Sequence, residues 1–163
     1  MRNPARNPRQ MQGVMLIEAL LAILIFSIGV LAIVGMQAVA IKTVTDAKYR
    51  SQAAFLANEL LAQIWNDASN PAAAPNIPVN YSYAGGTPPA SLATWVADVS
   101  SKLPGITPAA NPTTNAPAVT ISSASAQGAT VQIVVQWQTP EEASQGLPPH
   151  NHTVLASVYG NPP

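Results

Sequence analysis

The carboxylate of Glu18 stands near the start of a long apolar run, and its presence there needs a chemical explanation. The 23 residues of the following segment, 19–41, include no charged side chain, and no basic residue follows Glu18 until Lys42. A carboxylate in a membrane segment costs a few kcal/mol unless a partner compensates it. The sequence therefore predicts that a compensating interaction exists for Glu18.

The other residues that offer chemistry form weaker patterns. His150 and His152 share a face if they lie in one strand, which suits two metal ligands, but no cysteine and no clear third ligand accompany them. The side chains of the adjacent Glu141 and Glu142 point apart in an extended chain, which favours a solvated loop over a pair flanking a substrate. Nucleophile motifs and phosphate-binding loops are not recognisable. We expect no enzyme, no metal site and no cofactor.

The composition predicts a single-pass membrane protein with one small exported domain. Charged residues make up 9% of the 163 residues, against roughly 25% in soluble globular proteins. The uncharged segment 19–41 is long enough to cross a hydrocarbon core of roughly 30 Å as a helix. Arg2, Arg6 and Arg9 precede the apolar run with no acid among them, so the positive-inside rule keeps the N-terminus cytoplasmic. The exported part has no cysteine and therefore no disulfide.

Two simpler interpretations of the N-terminus stay open at this point. A cleaved secretory signal peptide has a basic start, an apolar core of roughly 7 to 15 residues and a small-residue cleavage site, for which residues 38–40, Ala-Val-Ala, would serve. The second interpretation is a plain membrane anchor that is not cleaved. The apolar segment is too long for the first, and neither accounts for Glu18.

The N-terminal segment resembles the class III signal of type IV prepilins. The shared features are a short basic leader, the residues GVMLIE at 13–18 and a long apolar helix. The resemblance implies that a prepilin peptidase removes a leader of residues 1–13 by cutting between Gly13 and Val14, and that Val14 is then N-methylated. It also implies that Glu18 pairs with the terminal amine of a neighbouring subunit, which supplies the missing cation. The family usually has phenylalanine at the position of Val14.

Helix formers continue well beyond the apolar run. No proline occurs between Val14 and Asn70, which predicts one helix with a transmembrane and assembly half at 14–41 and an amphipathic half at 42–67. Apolar residues recur in the second half at helical spacing. This stripe, expected to pack on the protein's own domain, consists of Ala53, Leu56, Leu60 and Ile64.

The remaining chain predicts short elements around a small sheet. Residues 68–90 contain five prolines, which excludes regular helix there and predicts a loop, with a short strand near Tyr81 and Tyr83. Ser91 is expected to cap a short helix over 91–103 that buries Trp95. Alternating residues predict strands within 117–160, among them VQIVVQW and a last strand from His152 to Tyr159, with Gly128 in a turn. We expect an α+β, pilin-like fold: a long helix packed on a small antiparallel sheet.

The spacing of these segments narrows the resemblance to the type IV pilus modification proteins, the PilV-type minor pilins. It implies a precursor in the inner membrane whose domain 42–163 is periplasmic. Its partners would be other minor pilins, the major pilin and the membrane machinery that assembles the pilus. The fibres would serve twitching or adhesion. Minor pseudopilins of type II secretion, and a membrane-anchored binding or enzymatic domain, are the alternatives. Nucleic-acid binding is not expected, because the mature chain keeps four Lys and Arg against seven acids, without a basic cluster.

Overall fold

The computed structural model describes residues 8–70, 77–107, 115–125 and 128–159. Arg2 and Arg6 of the basic leader, and Pro71 and Pro75 of the predicted loop, lie outside the described residues. The chain divides into two compact units, residues 1–46 and 47–163.

The first helix, α1, runs from Pro8 to Ala68 without interruption. It contains no proline after its first residue, and Ala, Leu, Ile and Gln dominate it, which favours a continuous helix. Three hydroxyl groups along this helix bond back to the carbonyl oxygen four residues earlier, those of Ser27, Thr43 and Thr45. These polar groups are therefore satisfied without a partner outside the helix.

The second unit has the predicted α+β layout. After α1 come α2 (Ile77–Tyr81), α3 (Ala93–Lys102), β1 (Ala118–Ser125), β2 (Gly128–Trp137), α4 (Pro140–Ser144) and β3 (His150–Val158). The strands form one antiparallel sheet in the order β1-β2-β3. The β2–β3 register is continuous over nine residue pairs, whereas the β1–β2 register shifts between Ser122 and Ser125.

The core lies between the second half of α1, helix α3 and one face of the sheet. The predicted stripe of Ala53, Leu56, Leu60 and Ile64 is fully buried. It belongs to the same cluster as the inward-facing residues of β2, which are Val131, Ile133, Val135 and Trp137. The expectation that the stripe packs on the protein's own domain is therefore confirmed.

Trp95 is buried as predicted and also makes a specific bond. Its side chain is 5% exposed, and its indole N–H donates to the carbonyl oxygen of Leu56 at 2.9 Å. Because the donor lies on α3 and the acceptor on α1, this bond fixes the position of one helix on the other.

Three predictions about the connecting segments are wrong. The proline-rich segment contains helix α2, and Tyr81, predicted to lie in a strand, ends that helix and donates to Asp67 at 2.6 Å. Ser91 does not cap α3, because its hydroxyl donates to the carbonyl oxygen of Asn80 instead. Gly128 lies in β2 rather than in a turn, paired with Ser125.

Other boundaries differ by a few residues. β3 begins at His150, two residues earlier than predicted, with Val154, Ala156 and Val158 on its inner side as expected. Tyr83 contributes an isolated bridge to β1 rather than a strand. Gly105, after the end of α3, has a φ of +74°, and a Cβ there would collide with the carbonyl of Gln138, so this position requires glycine.

Candidate functional site

The predicted processing residues lie together at the beginning of α1. Gly13, Val14 and Glu18 are all helical, and Glu18 follows Val14 by four residues, which places both side chains on one face about 6 Å apart along the axis. Val14 is 64% exposed, and a Cβ built at Gly13 would meet no atom within 4 Å. The peptide bond between Gly13 and Val14 is therefore not covered by another part of the described chain.

Glu18 is exposed, and within the described residues its carboxylate has no hydrogen bond or ion pair. The surface around it is apolar: Ile17 and Leu21 beside it are 63% and 52% exposed. A carboxylate on such a surface is stable in water, but in a membrane or at a helix interface it needs a cation. The described part of the chain does not provide that cation.

The apolar half of α1 is uncovered. An 18-residue window in this helix has a mean hydropathy of 2.8, and none of the window is buried inside the structure. By length and composition the helix is able to span a membrane. The exposed apolar side chains between residues 14 and 41 include Leu20, Ile23, Leu24, Ile25, Phe26, Ile28, Leu31, Ile33 and Met36.

Glu141 and Glu142 do not lie in a solvated loop, so that prediction is wrong. They belong to helix α4, which begins with Pro140. Thr139 and Glu142 form a capping box: the Glu142 carboxylate accepts from the Thr139 backbone N–H and hydroxyl, both at 2.9 Å, and the Thr139 hydroxyl accepts from the Glu142 N–H at 3.3 Å. Glu142 is buried, whereas Glu141 is exposed.

His150 completes this cluster. Its Nε2–H donates to the second oxygen of Glu142 at 2.9 Å, and its ring stacks on Trp137 with centroids 5.5 Å apart. His152 lies on the same side of β3, as predicted, opposite Val135. Among the described residues, no group of three or more His, Cys, Asp or Glu side chains could hold a metal ion. The cluster joins α4 to the sheet.

The capping cluster predicts a defined acid dependence of stability. The hydrogen bonds from His150 and then from Thr139 lower the pKa of Glu142 from 4.5 to about 2. Since the unfolded chain binds the proton more tightly, this stabilisation is complete above pH 4.5 and is lost as the pH falls toward 2. We expect Glu142→Gln to cost about 1 to 2 kcal/mol near neutral pH.

The measurement is thermal unfolding of the full chain in detergent, followed by circular dichroism for the wild type and Glu142→Gln at a series of pH values. The difference between the two proteins should shrink between pH 4.5 and about 2. Glu141→Gln, at the exposed neighbouring position, is the matched control and should change little. A wild-type advantage that stays constant across this pH range contradicts the assignment.

Sequence reasoning missed Glu142 and Trp137 as partners of His150. The segment TPEE at 139–142 has the capping-box pattern of a threonine followed three residues later by a glutamate, which was the available signal. The stacking on Trp137 depends on the register of two strands, for which the sequence has no comparable signal.

Comparison of the chain with models of protein families, with curated proteins and with solved structures finds no match.

Proposed function

We propose that this protein is a minor pilin of the type IV pilus, which a prepilin peptidase cuts between Gly13 and Val14 and which joins other minor pilins in the complex that starts or tips the fibre. The N-terminus is cytoplasmic and the second unit periplasmic before assembly. The proposal is supported by one arrangement: Glu18 follows Val14 by one helical turn at the head of an uninterrupted, uncovered apolar helix.

The chemistry of that arrangement supplies a partner for the glutamate. Cleavage after Gly13 creates a positively charged α-amine on Val14. This amine lies at the start of the apolar helix, where the Glu18 carboxylate requires a cation as its partner. If Glu18 pairs with the amine of a neighbouring subunit, the cost of isolating both charges favours association of subunits. Other minor pilins, the major pilin and the membrane assembly machinery are then the partners.

Processing is tested by the mass of the mature chain. We expect intact-mass spectrometry of protein from the inner membrane to give an N-terminus at Val14, with or without methylation. Gly13→Glu should leave the precursor uncut because a bulky charged residue replaces the small one at the scissile position. A Cβ at this position meets no atom of the described residues within 4 Å, so we expect this variant to fold. Gly13→Ala is the control and should still be cut.

The same samples separate the proposal from its alternatives. A mature N-terminus at Ile41 would restore an ordinary signal peptide, and an intact precursor in cells that contain the peptidase would leave a plain anchor. Incorporation is tested by shearing surface fibres from the cells and probing them for this protein. Deletion of the gene should reduce the number of surface pili.

A further inference from the structure

The outer edge of β3 is an open surface of the second unit. β3 is the last strand of the sheet, and among the described residues no strand pairs with its outer side. Asn151, Thr153, Leu155 and Ser157 are exposed, and Leu155 reaches 70%. An open edge is a template for a further strand.

The hydrogen bonds of the other edge show which backbone groups of β3 are free. Val119 exchanges both backbone bonds with Tyr83, at 2.7 and 2.9 Å, so these groups point away from β2. Backbone groups alternate in direction along a strand, so Ile133, opposite Val119, directs its bonds to Val154 on β3. The residues that direct their N–H and C=O groups outward are therefore Asn151, Thr153, Leu155 and Ser157.

This edge lacks the features that usually prevent strand addition. β3 contains no charged Lys, Arg, Asp or Glu and no proline, and its register with β2 has no bulge. Proteins commonly protect an edge with one of these devices or cover it. The β1 edge is protected in this way, since Tyr83 pairs with Val119 and the register is irregular after Ser122. The two edges of one sheet thus differ, and within the described part of the chain the β3 edge is the one left without a pairing segment.

We propose that the outer edge of β3 binds an extended, uncharged segment of another protein as a fourth, antiparallel strand. The four outward-facing residues supply the backbone hydrogen bonds. An apolar side chain of the incoming strand lies beside Leu155 and covers it. This inference rests on the second unit and on a membrane anchor, not on the pilus assignment.

The chemistry of the incoming segment follows from the side chains along the edge. Asn151, Thr153 and Ser157 are polar but uncharged, and Leu155 lies among them. A charged side chain directly opposite these residues would find no counter-charge and would lose part of its hydration. Alternating apolar and small polar residues fit the edge best.

A second copy of this chain does not fit the edge. Two β3 strands would pair antiparallel about a two-fold axis normal to the sheet. The segment 53–64 of α1 shares the core cluster with one face of that sheet, and the rotation reverses the direction of a helix that lies along the sheet. The N-terminal ends of the two helix segments, from which both chains continue toward their apolar segments, would then point in opposite directions. Head-to-tail addition would have to displace Tyr83, which bridges Val119 on the β1 edge.

The test uses the full-length protein in the cells that produce it. A photo-crosslinking amino acid, p-benzoylphenylalanine, replaces Thr153 on the open edge or, as a control, the exposed Thr120 on β1. After illumination, mass spectrometry identifies the crosslinked peptide. With the crosslinker at position 153, we expect one adduct, formed with an uncharged segment of a different protein. With the crosslinker at position 120, we expect no adduct with that segment. An adduct with a second copy of this chain, or no adduct, overturns the proposal.

A backbone variant distinguishes strand addition from other contacts. Leu155→Pro removes one outward N–H but no bond to β2, and Leu155→Ala keeps that N–H as the matched control. We expect the yield of the adduct at position 153 to be lower in Leu155→Pro than in Leu155→Ala by roughly fivefold or more. This is the change in binding constant that the loss of one hydrogen bond produces. Equal yields from two folded variants overturn the proposal.

Folding of each purified variant is checked in detergent by circular dichroism. Where Leu155→Pro fails to fold, Leu155→Lys decides, because it keeps the backbone N–H and adds a charge to the edge. Its adduct yield should also fall relative to Leu155→Ala, and an unchanged yield contradicts the proposed strand.

Discussion

Replacing Glu18 by valine should leave the protein cut and inserted but almost absent from pili. The scissile bond between Gly13 and Val14 is unchanged, and the helix becomes more apolar, so processing and insertion persist. If the proposed pair forms, the neighbour's amine loses its anion in this variant, and breaking one half of a buried ion pair costs on the order of 3 to 5 kcal/mol. The measurement is the amount in sheared pili relative to the amount in the inner membrane.

Two further substitutions separate charge from geometry. Glu18→Asp keeps the charge but shortens its reach, so incorporation should be intermediate. Glu18→Gln keeps the length and removes the charge, and it should resemble the valine variant. Wild-type incorporation of processed Glu18→Val would show that the carboxylate does not drive assembly, and the main physical argument for the proposed function would then fail.

The long helix and its buried stripe were predictable because local rules agree over many residues. No proline interrupts α1 after its start, and the stripe of Leu56, Leu60 and Ile64 has the helical period. The strands were recognisable by alternation, for example in β2, where Val131, Ile133 and Val135 are fully buried and Gln132 is exposed. In such segments propensity, periodicity and burial all favour the same structure.

Helices α2 and α4 were missed because proline was treated only as a helix breaker. α4 begins with Pro140, and proline is well suited to the first helical position because its fixed φ matches the helix and its missing N–H has no intrahelical acceptor. α2 has five residues and includes Pro78. Tyr81 at its end donates to Asp67 of α1, and burial with this bond raises the pKa of Tyr81 to about 12. Such tertiary contacts have no local sequence signal.

The candidate site is a different case, since its residues were chosen by the resemblance of residues 13–18 to the class III prepilin signal. The structure places Gly13, Val14 and Glu18 on one uncovered stretch of helix. The expected partner of Glu18 is the amine of another subunit, which a single uncut chain does not contain. Because the proposed ion pair joins two subunits, the experiment that tests it is assembly of the Glu18 variants into pili.

Removing the indole of Trp95 should have the largest effect on the stability of the second unit. Trp95 is 5% exposed and bonds α3 to the Leu56 carbonyl of α1. Truncating a buried tryptophan to alanine costs about 3 to 5 kcal/mol, a large part of the roughly 5 to 15 kcal/mol that stabilises a domain. We therefore expect a much lower midpoint of urea unfolding for Trp95→Ala, measured on the full chain in detergent by near-ultraviolet circular dichroism.

Two controls apportion this loss between packing and the hydrogen bond. Trp95→Phe keeps an aromatic ring but loses the N–H donor, so it should cost less than Trp95→Ala, and the lost bond itself accounts for about 0.5 to 1.5 kcal/mol. Trp65→Ala removes an indole from α1 that is 48% exposed, and it should lower the free energy of unfolding far less than Trp95→Ala, because little buried contact is lost. If Trp65→Ala and Trp95→Ala destabilise the protein equally, α3 does not pack on α1 through Trp95. The second unit would then depend mainly on contacts between α1 and the sheet.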